Sequence, residues 1–175
     1  ALTHDIVWLE EHEVMGESVL VPVLYLAQAE GRLAATGSLI QGQDVTLISG
    51  GELRNQGTLR AAENLSIVAG SIDNSGLLQA HERIQLIAQQ SIDNARGGII
   101  SGAEVGLTAG GDILNERTAS YYDNTAGRAR QAGTILDSAA RIEATGDLSM
   151  QAGGNLINQG AVIQAGGDVE LGAGQ

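Results

Sequence analysis

Between Gly37 and Asn115 the chain repeats itself. Four segments lie in phase: GSLIQGQDVTLISGGELRN, GTLRAAENLSIVAGSIDN, GLLQAHERIQLIAQQSIDN and GIISGAEVGLTAGGDILN. Three aliphatic series run through them: Leu39, Leu59, Leu78, Ile99; then Val45, Leu65, Ile84, Val105; then Leu53, Ile72, Ile92, Ile113. An asparagine closes each segment, at Asn55, Asn74, Asn94 and Asn115, and every series advances by 19 to 21 residues. A unit this short cannot hold the helix pair of a TPR or HEAT repeat. Its apolar residues alternate, as in Val45-Leu47, Leu65-Ile67, Ile84-Leu86 and Val105-Leu107, and period two means strand. Each unit therefore reads as about three short strands, punctuated by Gly, Asn, Asp or Gln. Three anchors contribute roughly 1.5–3 kcal/mol each, against roughly 1–2 kcal/mol for every backbone unit fixed. One unit alone is unstable. Stacking closes the deficit by satisfying strand hydrogen bonds above and below around a shared interior, which defines a parallel β-solenoid.

The residue usage suits that architecture. There are 25 glycines and one proline. Glycine allows tight corners, whereas proline removes a ladder donor, and Pro22 lies outside the regular coils. The chain has no phenylalanine, one tryptophan and three tyrosines, in keeping with a narrow interior of identical aliphatic layers. Its net charge is −12, from 21 acidic residues against nine arginines and no lysine. An acidic rod without a basic stripe is a poor nucleic-acid binder. It is also repelled by anionic membrane surfaces, and the charge itself favours solubility. Cysteine is absent, which excludes disulfide and thiol chemistry. No initiator Met, signal peptide or long apolar run is present, and the sequence stops part-way through a repeat. It reads as a fragment of something longer.

Four regions are expected. Residues 1–36 carry two apolar runs, THDIVWLEEHEV and ESVLVPVLYLAQA, around Met15-Gly16-Glu17. They read as an N-terminal β-hairpin followed by a degenerate first coil. Residues 37–115 are regular coils. Residues 116–141 break the pattern with ERTASYYDNTAGRARQ and read as one irregular coil plus an extruded loop or hairpin, because Val105 to Leu148 is two repeat lengths. In 142–175 the register returns as RIEATGDLSMQAGGNLINQ and GAVIQAGGDVELGAG.

These features carry a resemblance. The glycine- and asparagine-marked units, the segments AGGDILNERT and AGGNLINQGAVIQAGGDVEL, and the opening DIVWLEE resemble the hemagglutinin repeats of filamentous-hemagglutinin-like exoproteins. Those are passengers of two-partner secretion in Gram-negative bacteria, including adhesins and contact-dependent growth-inhibition toxins. The resemblance implies a right-handed parallel β-helix, export through an outer-membrane two-partner secretion transporter, and residence outside the cell or at its surface. It also implies contact with a target-cell receptor or envelope. No counterpart of the family's secretion or toxin domain occurs here.

The candidate site residues are few. Asn55, Asn74, Asn94, Asn115 and Asn158 are expected to stack at one corner as a structural ladder, their amides bonding up and down the column. Tyr121 and Tyr122, with Arg117, Arg128 and Arg130, form the best candidate contact surface, since Tyr and Arg are favoured at interfaces. The alternative for them is an extruded hairpin packing back on its own rod. Asp44, Glu104, Asp147 and Asp168 precede the second strand. The tandem calcium repeat is missing, however, and Arg83 interrupts the column, so they read as solvated turns. His4, Asp5, Glu10, Glu11, His12 and Glu13 match no zinc pattern and read as a hairpin face. No metal site, cofactor site or catalytic constellation stands out in the sequence. Pectate-lyase-like enzymes share the β-helix but hold sugar with basic or aromatic residues along a groove, and here the aromatics lie outside the coils.

The expected molecule is all-β: a right-handed parallel β-helix of about seven coils, roughly 34 Å long at ~4.8 Å per coil, with an N-terminal hairpin and one extruded loop. It is read as a structural rod segment of a secreted exoprotein that presents or delivers a distal functional region. The alternatives are a direct adhesin binding a receptor or glycan, and a polysaccharide-active enzyme.

Overall fold

A computed structural model describes residues 6–14, 17–25, 38–126 and 129–174. The chain divides into two units, Ala1–Ala35 and Thr36–Gln175. In the first, β1 (Ile6–Val14) and β2 (Glu17–Tyr25) pair antiparallel, with Ile6 opposite Tyr25 and Val14 opposite Glu17. The expected first coil before residue 37 lies outside the described residues, as do the side chains of the His4 to Glu13 cluster.

The second unit is a β-solenoid. Its first turn is β3 (Leu39–Gly42), β4 (Val45–Ile48) and β5 (Glu52–Asn55); its second is β6 (Thr58–Ala61), β7 (Asn64–Ala69) and β8 (Ser71–Asn74). The third is β9 (Leu77–Ala80), β10 (Arg83–Ala88) and β11 (Ile92–Asn94), and the fourth β12 (Ile99–Gly102), β13 (Glu104–Ala109) and β14 (Ile113–Glu116). An antiparallel hairpin follows, β15 (Ala119–Ala126) and β16 (Ala129–Leu136). The stack then resumes with β17 (Arg141–Ala144), β18 (Leu148–Ala152) and β19 (Leu156–Gln159), and ends in β20 (Val162–Ala165) and β21 (Val169–Ala173). Each strand pairs in parallel with its counterpart one turn away, giving sheets of six, five and six strands. No helix occurs among the described residues.

The repeat length sets this geometry. Three short strands and three corners use about twenty residues, so position n of one turn falls beside position n of the next. The inward positions become columns. Val45, Leu65, Ile84, Val105, Leu148 and Val169 stack in one. Leu53, Ile72, Ile92, Ile113 and Leu156 stack in another. Leu65, Ile72, Ile84, Ile92, Ile113 and Leu148 are all buried to within 1% of complete, each contributing about 1.5–3 kcal/mol. Alanine columns line the narrow ends, as at Ala69, Ala88, Ala109 and Ala152.

Two expectations need correction. The first aliphatic series is shifted at two of its members. Ile40, not Leu39, stacks on Leu59, and Ile100, not Ile99, stacks on Leu78. Both sites hold adjacent aliphatics, and period two sends only one of each pair inward. Ile100 is fully buried while Ile99 pairs with half-exposed Leu77. The second correction concerns the coil count. Residues 116–141 contain no coil, because β13 pairs directly with β18, Val105 beside Leu148. The doubled spacing is spent on the hairpin. The described solenoid therefore has five complete turns and two strands of a sixth, without the irregular coil counted into the expected seven, and spans roughly 24 Å between its end strands at ~4.8 Å per step.

Candidate functional site

The corner that follows each of β5, β8, β11, β14 and β19 is built on asparagine. Asn55, Asn74, Asn94, Asn115 and Asn158 occupy one register position. Each Nδ2 donates to the Oδ1 one turn on: Asn55 to Asn74 and Asn74 to Asn94 at 2.8 Å, Asn94 to Asn115 and Asn115 to Asn158 at 2.9 Å. The second Nδ2 proton goes to a backbone carbonyl on the far side of that next corner: Leu77 O, Ile99 O, Arg141 O and Val162 O, at 2.8–3.3 Å. The corner glycines donate to the first two amide oxygens, Gly57 N to Asn55 Oδ1 and Gly76 N to Asn74 Oδ1. Asn74, Asn94 and Asn115 are fully buried. A buried amide costs several kcal/mol unless it is satisfied, and Asn74 makes four hydrogen bonds.

Glycine is required beside this column because the corners nearly touch. A Cβ on Gly76 would lie 2.1 Å from Gly57 O, and one on Gly98 2.5 Å from Asn94 Oδ1. The ladder's second bond, across the next corner to a carbonyl, is absent from the sequence reading, and no sequence pattern marks those carbonyls.

The hairpin leaves the rod at this same corner. Its root is clasped: Asp137 N donates to Thr118 O at 3.0 Å, Arg117 Nε donates to Asp137 O at 2.7 Å, and the Thr118 hydroxyl bonds the Asp137 carboxylate. Arg117 thus sits at the base. Further out, Tyr121 pairs with Thr134 and Tyr122 with Gly133. Neighbouring strand residues face opposite ways, so the two tyrosines do not share a surface. Tyr122 lies over Gly133, where a Cβ would meet its hydroxyl at 2.7 Å. Tyr121 is 66% exposed. On its side Arg130 binds Asp123 through Nε at 2.9 Å and Nη2 at 2.5 Å. The hydrogen bond to Asp123 raises the Arg130 guanidinium above its usual value, and the nearby Tyr121 side chain adds to it. Arg128 lies outside the described residues. Tyr121, Ile135 and Leu136 are all more than half exposed.

The acidic positions before the second strand form one column, Asp44, Asn64, Arg83, Glu104, Asp147, Asp168. Asp44 Oδ1 accepts from Asn64 N and Nδ2, Asp147 Oδ1 accepts from Asp168 N at 2.9 Å, and Glu104 pairs with Arg83 at 2.5 Å. They close turns. Among the described residues no group of three or more His, Cys, Asp or Glu is placed to hold a metal ion. The grooves on the sheet faces are shallow. One of about 540 Å³ runs along Arg83, Glu104, Asp147 and Glu170, and another of about 620 Å³ along Arg60, Gln79, His81 and Thr145.

Stacked parallel turns, an aliphatic interior and an unbroken amide column define a solenoid rod segment. The haemagglutinin-repeat family model matches residues 24–175, and the chain belongs to that family, which bears out its resemblance to the filamentous-hemagglutinin-like exoproteins. It is 36% identical over 167 residues to the deoxyribonuclease CdiA of Dickeya dadantii, covering 91% of this chain and 5% of that protein. It is 34% identical over 153 residues to the tRNA nuclease CdiA of Yersinia mollaretii, covering 87% and 4%. It is 32% identical over 178 residues to the toxin CdiA of Yersinia pestis, covering 99% and 5%. No solved structure matches. The chain spans about 5% of the length of these curated relatives, so their names describe whole proteins of which it resembles one section. It is a structural segment of a secreted, cell-surface exoprotein of Gram-negative bacteria.

Proposed function

We propose that this chain is a load-carrying section of rod that holds a distal functional region away from the producing cell, within an exoprotein that acts by cell contact and toxin delivery. The supporting observation is the continuity of the stack. The aliphatic columns and the amide ladder pass from β13 to β18 and from Asn115 to Asn158 without a break, although the hairpin intervenes. Such a rod is stiff along its axis because every turn is bonded to both neighbours. The nuclease and toxin names of the relatives belong, on this reading, to other parts of those proteins, and this segment performs no catalysis. An outer-membrane two-partner secretion transporter is its partner during export, by family resemblance. A chain without cysteine passes through such a pore unfolded with no disulfide to break, and the turns then fold outside one upon another.

The test is a phase experiment in the parent exoprotein. Removing residues 56–74 excises one whole turn and rejoins Asn55 to Ser75, keeping every column in register. Removing half that length does not. A spacer keeps target-cell inhibition after the first deletion and loses display after the second. Loss of activity with normal display after the in-phase deletion would overturn the reading.

A second reading has its own observation. Tyr121, Ile135 and Leu136 stand exposed on the hairpin, and a direct adhesin would use them against a receptor or glycan. Binding of the isolated chain to target cells, abolished by Tyr121→Ala, would favour it over the spacer.

A further inference from the structure

Asp93 is on β11, in the register position between Asp73 of β8 and Leu114 of β14. The two aspartates come from identical SIDN strands stacked one upon the other. Their surroundings differ. Asp73 has taken the arginines: Arg96 Nη2 donates to its Oδ1 at 2.7 Å, and Arg54 Nε lies 3.3 Å from its Oδ2. Asp93 has neither. Its Oδ1 is shut off from solvent and has no hydrogen-bond partner, and Leu114 on the following turn offers no donor.

The charged groups around Asp93 come from each neighbouring element. β8 supplies Asp73. Asp112, before β14, and Glu116, at its end, flank Leu114. Among the described residues, Arg96 of the corner is the cation that acts on Asp93, and it is committed to Asp73. On β5, Glu52 and Arg54 bind each other at 2.9 Å. Glu104 of β13, which meets β11 from the core side, is paired with Arg83. Burial first, and then the Asp73, Glu116 and Asp112 carboxylates, push the Asp93 carboxyl above its usual value, while Arg96 pulls the other way.

We propose that Asp93 is a proton-operated strut: on acidification it takes up one proton, which removes the charge beside its shielded, unpartnered Oδ1 and supplies a hydroxyl donor toward Asp73, so that the turns carrying β8, β11 and β14 lock together more tightly. A carboxyl raised in the folded chain holds its proton more firmly there than in the unfolded chain. The stability it confers is complete below the unfolded value of about 3.9 and is lost as the pH climbs through the folded one. This part of the rod thus loses firmness as the pH rises through the folded value, the reverse of a carboxylate held in an ion pair.

The experiment compares the 175-residue chain with Asp93→Asn between about pH 4.5 and about pH 7.5. Glu82→Gln, at an exposed corner, controls for the loss of one negative charge. The Asp93 side-chain carbon is titrated by NMR in the unsubstituted protein, which requires no variant to fold. The expected results are an Asp93 midpoint above that of the unfolded chain and β11 amide opening that falls by up to about tenfold per pH unit on acidification. Asp93→Asn should raise the urea midpoint at neutral pH and flatten its pH dependence, and Glu82→Gln should leave that dependence intact. An Asp93 midpoint at or below the ordinary value overturns the proposal. So does an Asp93→Asn curve that runs parallel to, or below, the unsubstituted one at every pH.

Discussion

Replacing Asn74 with Ala tests whether the amide column holds the rod together. Asn74 is fully buried and has four partners: Asn55 Nδ2, Asn94 Oδ1, Ile99 O and Gly76 N. Alanine deprives all four at once. Each unsatisfied buried group costs about 1–3 kcal/mol. Asn55 Nδ2 keeps its bond to Leu77 O, and water entering the vacated corner recovers part of the rest, so the expected loss is about 3–5 kcal/mol. Urea unfolding followed by circular dichroism reads this as a large fall in midpoint. Asn74→Asp sharpens the test, since a carboxylate would face Asn94 Oδ1 and Ile99 O with no proton to give. It should be worse than alanine at neutral pH. Burial and these acceptors raise the carboxyl's folded value, so stability returns as the pH falls below it. An unchanged midpoint for Asn74→Ala, or an aspartate variant as stable as the parent at neutral pH, would refute the ladder as a structural element.

Excising Ala119–Leu136 and joining Thr118 to Asp137 through a short Gly/Ser turn should cost under about 1 kcal/mol, because Thr118 and Asp137 are already hydrogen-bonded and none of the hairpin's described side chains belongs to the core; a loss as large as that of Asn74→Ala contradicts this. Gly76→Ala should be among the most damaging single substitutions, about 3 kcal/mol or more in the same urea assay, because its Cβ would stand 2.1 Å from Gly57 O on the adjoining turn, whereas Gly50→Ala, with open space around it, should be nearly silent.

How much of this was legible in the sequence depends on what each element obeys. The columns through Leu65, Ile84 and Val105 were legible because a stacked turn forces like onto like, and the repeat displays its own cross-section. The exchange of Leu39 for Ile40 and of Ile99 for Ile100 was not. Two adjacent aliphatics satisfy the same spacing, and only backbone pairing decides which turns inward. The irregular coil read into 116–141 failed for a related reason. A gap of two repeat lengths is equally well filled by a turn or by an excursion, and counting residues cannot tell them apart. What could have told them apart is the content of β15 and β16, where no inward aliphatic triplet accompanies Tyr121 and Tyr122. The strand pair SIDN and SIDN already placed Asp73 beneath Asp93 in the sequence. The decisive difference, that Arg54 and Arg96 both serve Asp73, belongs to side-chain geometry and left no trace in spacing.

The ladder and the hairpin share a corner for a reason that can be tested. Two residues separate Asn55 from Thr58 and Asn74 from Leu77, four separate Asn94 from Ile99, 25 separate Asn115 from Arg141, and three separate Asn158 from Val162. Length variation is concentrated at the asparagine corner. The double bond of each amide explains the tolerance. Asn94 Nδ2 grips Asn115 Oδ1 at 2.9 Å and Arg141 O at 3.1 Å, the residue before the excursion and the residue after it. Whatever the chain does between them, both ends are fixed by the turn beneath, and β17 starts in register with Ile142 beside Ile100. Asn94→Ala should therefore loosen the hairpin's root specifically. Amide exchange should accelerate at Asp137 and Arg141, whose protons are held by Thr118 O and Gly98 O. In Asn74→Ala the acceleration should centre one turn earlier, on β9 to β12. Coupling in a stacked-turn protein falls off beyond nearest neighbours, so the two variants should be distinguishable residue by residue. If Asn94→Ala leaves Asp137 and Arg141 protected while disturbing β9, the amide supports its own turn, and the tolerance of this corner for a 25-residue excursion would have to come from the clasp of Arg117, Thr118 and Asp137 instead.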